Sequence, residues 1–357
     1  MDKRFTYTFG ALDGVSVNQG LVVASGWVIG LEDEITNLSL YCNDELLTVG
    51  DAQFNQASPD VFRAHPDLPG TANCRFRLTA KLTGDTQGTS GKRLLSVVPQ
   101  SQGRRGVPLE RIDPPQLKPP TPEQAIMVGH GDFTETSFSL LSHFRLVANL
   151  PKNARVLEPG CGLGRVAYAL AHYLEGTGRY DGFDVSAKAI QIARSIFADS
   201  DRTSFQHVDL YNKMYNPSGA IHSKTFTFPF PANHFDFTVL TSVFTHMLPD
   251  DVRRFLLEIA RTLVSGGQCF ATFFALDDLA KINLSAGKTA LAIVHPRAEG
   301  CFVENPATPE NAVAYDYDTL AEMIDAAGLI IEQIHWGKWS GRSRFLSYQD
   351  TFLLRKP

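Results

Sequence analysis

Between Arg155 and Arg165 the chain reads Arg-Val-Leu-Glu-Pro-Gly-Cys-Gly-Leu-Gly-Arg. An apolar run ends on an acid, Glu158, and Gly160, Gly162 and Gly164 follow before a helical pattern opens. Glycines spaced in this way let a strand turn sharply into a helix. They also let backbone approach a ligand beside the unpaired N–H groups of the helix N-terminus. An adenosine-like ligand suits that setting. A dinucleotide fold uses G-x-G-x-x-G and receives a pyrophosphate there; here the third glycine comes one residue early. Glu158 would oppose a phosphate and suits a cationic or amine-bearing ligand.

Two further acids close apolar runs downstream. Asp184 ends Tyr180-Asp181-Gly182-Phe183-Asp184, twenty residues beyond Gly164, where a carboxylate can accept both ribose hydroxyls. Asp209 ends the run 203–209. The run 234–246 carries His246 to the edge at which ligands dock in an open α/β sheet. An imidazole there can serve as general base, as pocket wall or as a helix cap.

The pattern acid-x-G-x-G-x-G resembles motif I of class I S-adenosylmethionine-dependent methyltransferases. The ribose acid, the second acid, the Phe235-Asp236 strand and the Gly266-Gly267 turn follow in that family's order, from about Phe133 to Arg355. The resemblance implies an enzyme with S-adenosyl-L-methionine as cofactor. It places Glu158, Gly160, Cys161, Gly162, Gly164, Arg165, Asp184 and Val185 around it, with Asp209 bonding the adenine amino group and Leu210 beside it. Ser242-Val243-Phe244-Thr245-His246 is similar to a cofactor-pocket segment of small-molecule methyltransferases. A helix from about Thr134 to Ala148 would cap the cofactor with Phe133 or His130 in reach, or simply pack.

These residues need a particular frame. Strands are expected at 155–159, 180–184, 203–209, 234–246, 269–276, 329–334 and 350–354, with helices at 166–174, after Ser186, from Pro249 to the Ser265-Gly266-Gly267 turn, and from Asp318 to Gly328. That alternation is α/β, a Rossmann-like doubly wound seven-stranded methyltransferase sheet. The first 112 residues show short strands without helical periodicity, including 21–29, 37–42, 45–49, 74–80 and 93–98, with a turn at Asn43-Asp44. They suggest a small all-β sandwich with Trp27 as a core plug. Asp-Pro-Pro-Gln-Leu-Lys-Pro-Pro-Thr-Pro then forms an extended spacer. The domain plan is 1–112, a linker at 113–125, and a methyltransferase domain at 126–357.

The 357 residues carry a net charge of -5 and no basic stripe, which argues against a nucleic-acid partner. Five scattered cysteines without a C-x-x-C pair indicate neither a disulfide framework nor zinc. No ligand set for a metal can be assembled. With no signal peptide and no run long enough for stable membrane insertion, a cytoplasmic location is expected.

The acceptor is read from two insertions, 211–230 and 277–316, whose Tyr211, Tyr215, His222, His295 and Tyr315 suit a hydroxylated ring or a packed lid. Trp336, Trp339 and Arg342 form a second candidate surface, since indole faces stack on sugars and Arg binds carboxylate or phosphate; the alternative is a hairpin with packed tryptophans. The Asn/Asp-Pro-Pro-aromatic motif of nucleic-acid amino-methyltransferases, found with the fourth strand, is missing here, where Thr241-Ser242-Val243-Phe244 stands. The segment 20–27, Ser58-Pro59-Asp60-Val61 and Cys74-Arg75-Phe76 resemble a β module found beside bacterial surface-glycan glycosyltransferases and methyltransferases. The Gly-x-Trp-x-Gly-Arg pattern at 337–342 is similar to methyltransferases of that setting. These resemblances imply O-methylation of a sugar hydroxyl on a surface glycan or glycolipid, with a glycosyltransferase partner. Alternatives are a natural-product methyltransferase and a non-catalytic cofactor-binding partner.

Overall fold

The computed structural model describes residues 5–82, 92–129, 131–213 and 215–357. Its larger sheet has seven strands in the spatial order Thr203–His207, Arg179–Asp184, Arg155–Pro159, Phe235–Leu240, Leu263–Phe273, Asp350–Arg355 and Ile330–His335. Counted from the strand before the glycine turn, this is 3-2-1-4-5-7-6. The first five are parallel, and Asp350–Arg355 runs antiparallel to both of its neighbours. Parallel strands are covered on both faces, and Phe235–Leu240 and Arg155–Pro159 are accordingly buried at all but one position each. The strand order reverses beside Arg155–Pro159, and a crevice at the carboxyl ends of the strands follows from that reversal.

Helices Arg165–Tyr173, Ala187–Ile196, Pro249–Thr262 and Tyr317–Ala326 make the connections. Pro249–Thr262 follows from its sequence. Proline opens its first turn, Asp250 and Asp251 sit near the positive dipole end, and Val252, Phe255, Leu256 and Ile259 are buried along one stripe. That stripe joins Phe235, Leu240, Phe244, Phe273, Leu320, Ile324 and Phe352 in one core. A second small sheet, Ala275–Leu276, Val313–Asp316, Cys301–Val303 and His295–Ala298, grows from the end of Leu263–Phe273. The insertion 277–316 is therefore folded structure.

Contacts between backbone positions divide the chain into two compact units, 1–146 with 168–173, and 147–167 with 174–357. The first holds two antiparallel arrangements: Thr8–Asn18, Leu21–Gly30, Asn73–Lys81 and Val49–Ala57; and Glu45–Leu46, Asn37–Cys42, Arg93–Ser101 and Arg104–Arg105, with Leu109–Asp113 also on Arg93–Ser101. Both contribute to one apolar cluster, including Val22, Ala24, Leu40, Phe76, Leu78, Leu95 and Val97. Asn43 and Asp44 both have positive φ, 49° and 71°, the conformation of a tight hairpin turn. Trp27 is 9% exposed and packs against Phe9 and His65. Arg145 pairs with the buried Glu110 and with Asp44. All five cysteines are free and buried.

One expected element is shorter than read. The strand expected over 234–246 stops at Leu240, because Ser242 adopts φ +56° and Phe244–His246 forms a 3-10 turn. The strand expected at 269–276 begins at Leu263, and its last residues, Ala275–Leu276, belong to the second sheet.

Candidate active site

The glycine turn is tied to its neighbouring strand. The N–H groups of Gly160 and Cys161 donate to the Phe183 carbonyl at 2.8 and 3.1 Å. Gly160 and Gly164 have φ of +76° and +81°, a region that L side chains rarely adopt. A Cβ on Gly160 would lie 2.7 Å from Val243 Cγ2, and one on Gly164 would lie 2.7 Å from Phe197 Cε2. The turn therefore needs glycine for conformation and for space.

Asp184 closes this corner. Its Oδ2 accepts the Gly162 N–H at 2.8 Å and its Oδ1 accepts the Ser186 N–H at 2.7 Å. Each oxygen keeps a lone-pair direction that a ligand hydroxyl can use. Burial raises the carboxyl above the ordinary range, and the two N–H bonds oppose that rise. Ser186 caps the following helix through Ala189 N–H, so the acid is held by the turn on one side and a helix start on the other.

Glu158 departs from expectation. It is 3% exposed and accepts a hydrogen bond from the Tyr180 hydroxyl. Burial pushes its carboxyl up to about 8, opposed by the Tyr180 bond and the Arg165 guanidinium. The protonated form is thus favoured in the ligand-free chain, and the side chain is tied to Tyr180 rather than presented openly to an amine. Cys161 is buried in the same cluster, beneath Gly182.

Asp209 is exposed, and its carboxylate accepts from Asn216 Nδ2 at 3.2 Å and Ala220 N–H at 3.3 Å. The acid expected beside the adenine thus also anchors the insertion that follows it. Leu210 is buried and bridges to Ile221. A cleft of ≈ 360 Å³ opens here, lined by His207, Asp209, Ile221, Phe226 and Pro229 among others. Tyr215 is 52% exposed, and the negative Asp184 adds to burial in raising its phenol. His222 is exposed, with its ring 6.2 Å from that of Tyr211.

At the end of Phe235–Leu240, Ser242 N–H donates to Thr272 Oγ1 at 2.8 Å, and Ser242 Oγ accepts from Gln349 Nε2 at 2.8 Å. Thr272 Oγ1 donates to Gln349 Oε1 at 2.7 Å, closing a three-residue ring of hydrogen bonds. This ring holds a non-glycine residue in left-handed backbone beside Val243, the side chain that meets Gly160. Four residues on, His246 Nδ1 lies 2.9 Å from the Glu310 carbonyl. A carbonyl only accepts, so Nδ1 donates to it, and the tautomer this bond selects has Nε2 as its acceptor nitrogen.

A glycine turn, an acid at the end of the next strand and an imidazole whose Nδ1 is held by a carbonyl lie along this sheet edge. Residues 157–271 match the family model for a methyltransferase domain. The matched stretch includes the glycine turn, Asp184, Asp209 and His246, while Thr272, Glu310 and Gln349, which support them, lie beyond it. S-adenosylmethionine is its cofactor. The residues fit that group: a turn that admits no Cβ permits close backbone approach, and the Asp184 oxygens retain acceptor capacity.

Among curated proteins the chain is similar to the demethylmenaquinone methyltransferase of Bacillus licheniformis, 30% identical over 120 residues, covering 34% of this chain and 44% of the relative. It is also similar to the tRNA N(3)-cytidine methyltransferase METTL2 of Gallus gallus, 26% identical over 178 residues, covering 49% and 42%. The chain spans less than half the length of both. Similar solved structures include a SAM-dependent methyltransferase from Methanosarcina mazei, with 18% identity, a TM-score of 0.41, and 59% and 96% of the two chains covered. Another is the magnesium protoporphyrin IX methyltransferase of Synechocystis PCC 6803 with bound SAH, with 13% identity, a TM-score of 0.41, and 64% and 90% covered.

The expected aromatic acceptor surface at 336–342 is corrected in part. Trp339 is 0% exposed and its indole N–H donates to Asp350 Oδ2 at 2.7 Å, so it is a core residue without a free face. Arg342 is bound to both Asp277 oxygens at 2.7 and 2.6 Å and stacks over Trp336 at 4.8 Å. It is therefore already committed, and the Trp336 face is covered by it. Phe133 is buried edge-on to Tyr168, which is plain packing; His130 lies outside the described residues. Among the described residues no cluster of His, Cys, Asp and Glu could hold a metal, and no helix is long and apolar enough to cross a membrane.

Sequence reading missed Tyr180, Gln349 and Glu310. Tyr180 begins the short run that ends in Asp184, and a hydroxyl two pleats from an acid was the available signal. Gln349 and Glu310 act through folding of distant segments onto the sheet edge, for which local spacing holds no signal.

Proposed function

We propose that this chain transfers a methyl group from S-adenosylmethionine to the oxygen of a hydroxylated acceptor, a sugar of a bacterial surface glycan or glycolipid. The observation that carries the reading is the His246 tautomer, fixed by Glu310 at 2.9 Å. It leaves Nε2 able to take the acceptor hydroxyl proton as oxygen attacks. When bound, the cofactor supplies an electrophilic methyl on a positively charged sulfur. Asp184 would take the ribose hydroxyls on its free lone pairs, and the glycine turn, with Val243 packed against Gly160, would admit the cofactor closely. Asp209 and Leu210 would border the adenine. Chemistry of this kind depends mainly on positioning and on excluding water.

The two curated relatives are named for demethylmenaquinone and for tRNA cytidine, so the matched stretch does not fix the acceptor. For a saccharide speak the tyrosines exposed on the first insertion, Tyr211 and Tyr215, and the glycan-associated sequence resemblances. The two antiparallel arrangements that share one core in the first unit support an accessory β sandwich, with a proline-rich linker at 113–125. That module would serve as scaffold or as contact for a glycosyltransferase, in a cytoplasmic setting. The test is transfer of labelled methyl from S-adenosylmethionine to a bacterial glycan extract beside phenols and amines. Label in a glycan fraction that survives protease and nuclease supports the reading; label only in phenols or amines would refute the saccharide assignment.

A further inference from the structure

The Gly337-x-Trp339-x-Gly341-Arg342 pattern folds back onto the residues that open the last strand, Asp350–Arg355. The N–H groups of Lys338 and Trp339 donate to the carbonyls of Ser347 and Tyr348 at 3.0 and 2.9 Å. Gly337 N–H and Trp339 Nε1–H donate to the two Asp350 oxygens at 2.6 and 2.7 Å. A Cβ on Gly337 would run into the backbone of Tyr348, Gln349 and Asp350, so the close approach requires glycine. Gln349 therefore stands on a stretch of backbone that is anchored on every side of it.

Its amide closes the ring with Ser242 and Thr272 across 2.7 to 2.8 Å bonds. Burial sets the direction of that ring. Thr272 is 4% exposed, and an amide that turns Oε1 toward it gives its hydroxyl proton an acceptor, while Nε2 donates to Ser242. Ser242 has φ +56°, a conformation that strains a residue with a Cβ by an amount that two side-chain hydrogen bonds can offset. The next residue is Val243, whose Cγ2 stands 2.7 Å from where a Cβ of Gly160 would be. Contacts thus run unbroken from the 337–350 pair through Ser242 to the glycine turn.

We infer that Gln349 is a positioning residue for the cofactor site: it holds Ser242 in left-handed backbone and so keeps Val243 against Gly160 and the glycine turn in the shape that admits a ligand. The 337–342 pattern is the mount that keeps Gln349 in place. This rests on the assignment of the glycine turn to S-adenosylmethionine, and it extends that site to the last strand, which the family match over 157–271 does not reach. Without the ring, Ser242 relaxes toward ordinary backbone and carries Val243 away from Gly160.

The experiment measures S-adenosylhomocysteine affinity by calorimetry, and unfolding in urea, for the full chain and three variants. Gln349→Ala is expected to weaken binding about 10-fold, the scale of the strain it releases. Gln349→Ala combined with Ser242→Gly, and combined with Ser242→Ala, lack the same amide and the same hydroxyl; they differ in whether residue 242 accepts a positive φ. The glycine double is expected to bind about 10-fold more tightly than the alanine double and to unfold at higher urea, although glycine ordinarily favours the unfolded chain. An alanine double that fails to fold beside a folded glycine double supports the same conclusion. Equal affinity of two folded doubles, or wild-type affinity in Gln349→Ala, would overturn the role of Gln349. Absence of binding by wild type would overturn the cofactor assignment and this role with it, and the urea order of the doubles would then report on the ring alone, which keeps the two failures apart.

Discussion

His246 and Glu310 are 64 residues apart in sequence and 2.9 Å apart in space, ring Nδ1 to backbone carbonyl. The insertion after the fifth parallel strand thereby sets the tautomer of an imidazole at the end of the fourth. Removing the ring should lower kcat by about 10²- to 10⁴-fold, the usual contribution of a positioned base. His246→Ala should bind S-adenosylhomocysteine as wild type does. Full turnover by that variant would remove His246 as the base.

Gly160 has φ +76° and faces Val243 Cγ2 at a would-be Cβ distance of 2.7 Å. Gly160→Ala should cost about 1–3 kcal/mol of stability through overpacking and backbone strain. Its affinity for S-adenosylhomocysteine should also fall, because the turn must shift. Gly160→Ala combined with Val243→Ala relieves the clash but not the strain, and should recover part of the stability in chemical denaturation.

Glu158 links pH to stability. Its folded carboxyl is raised to about 8 from an ordinary 4.5, chiefly by burial. Between those values the folded chain keeps a proton that the unfolded chain has lost. Stability is therefore fully present below the lower value and lost as pH rises through the upper one, by at most about 1.4 kcal/mol per pH unit. The ligand-free wild type should lose ground to Glu158→Gln between roughly pH 5 and roughly pH 8. Parallel melting curves of the two would contradict this.

Asp350 accepts three buried donors: Ala275 N–H at 2.8 Å, Gly337 N–H at 2.6 Å and Trp339 Nε1–H at 2.7 Å. Asp350→Ala leaves all three without their partner, and should destabilise by about 3 kcal/mol or more. Wild-type stability in urea would show that water or a shifted backbone replaces the carboxylate.

The parallel sheet was legible because burial on both faces writes strands as apolar runs, and because the helices between them carry caps and stripes, as Ser186 and Pro249–Thr262 do. Val49–Ala57 was not, since its residues are almost all exposed and show no alternation of apolar with polar. Ser242 ended a strand that composition alone would continue, because a ring of hydrogen bonds from Thr272 and Gln349 holds its backbone left-handed. Asp184 and the glycines could be read from local spacing. The fixing of His246 and Ser242 depends on residues 64 and 107 positions away, and such pairing is a property of the fold. Trp339 looked like a binding face because tryptophan is both an anchor and a core filler, and only the buried Asp350 partner decides between them.

The glycine turn and Asp184 make up the proposed S-adenosylmethionine site. Calorimetric titration of the full chain with S-adenosylhomocysteine tests it most directly, with Asp184→Ala beside wild type and circular dichroism to verify its fold. One-to-one binding by wild type is predicted, weakened about 10-fold or more in a folded Asp184→Ala through loss of charge-assisted hydrogen bonds. No heat with wild type, or equal affinity in the two proteins, would contradict the account.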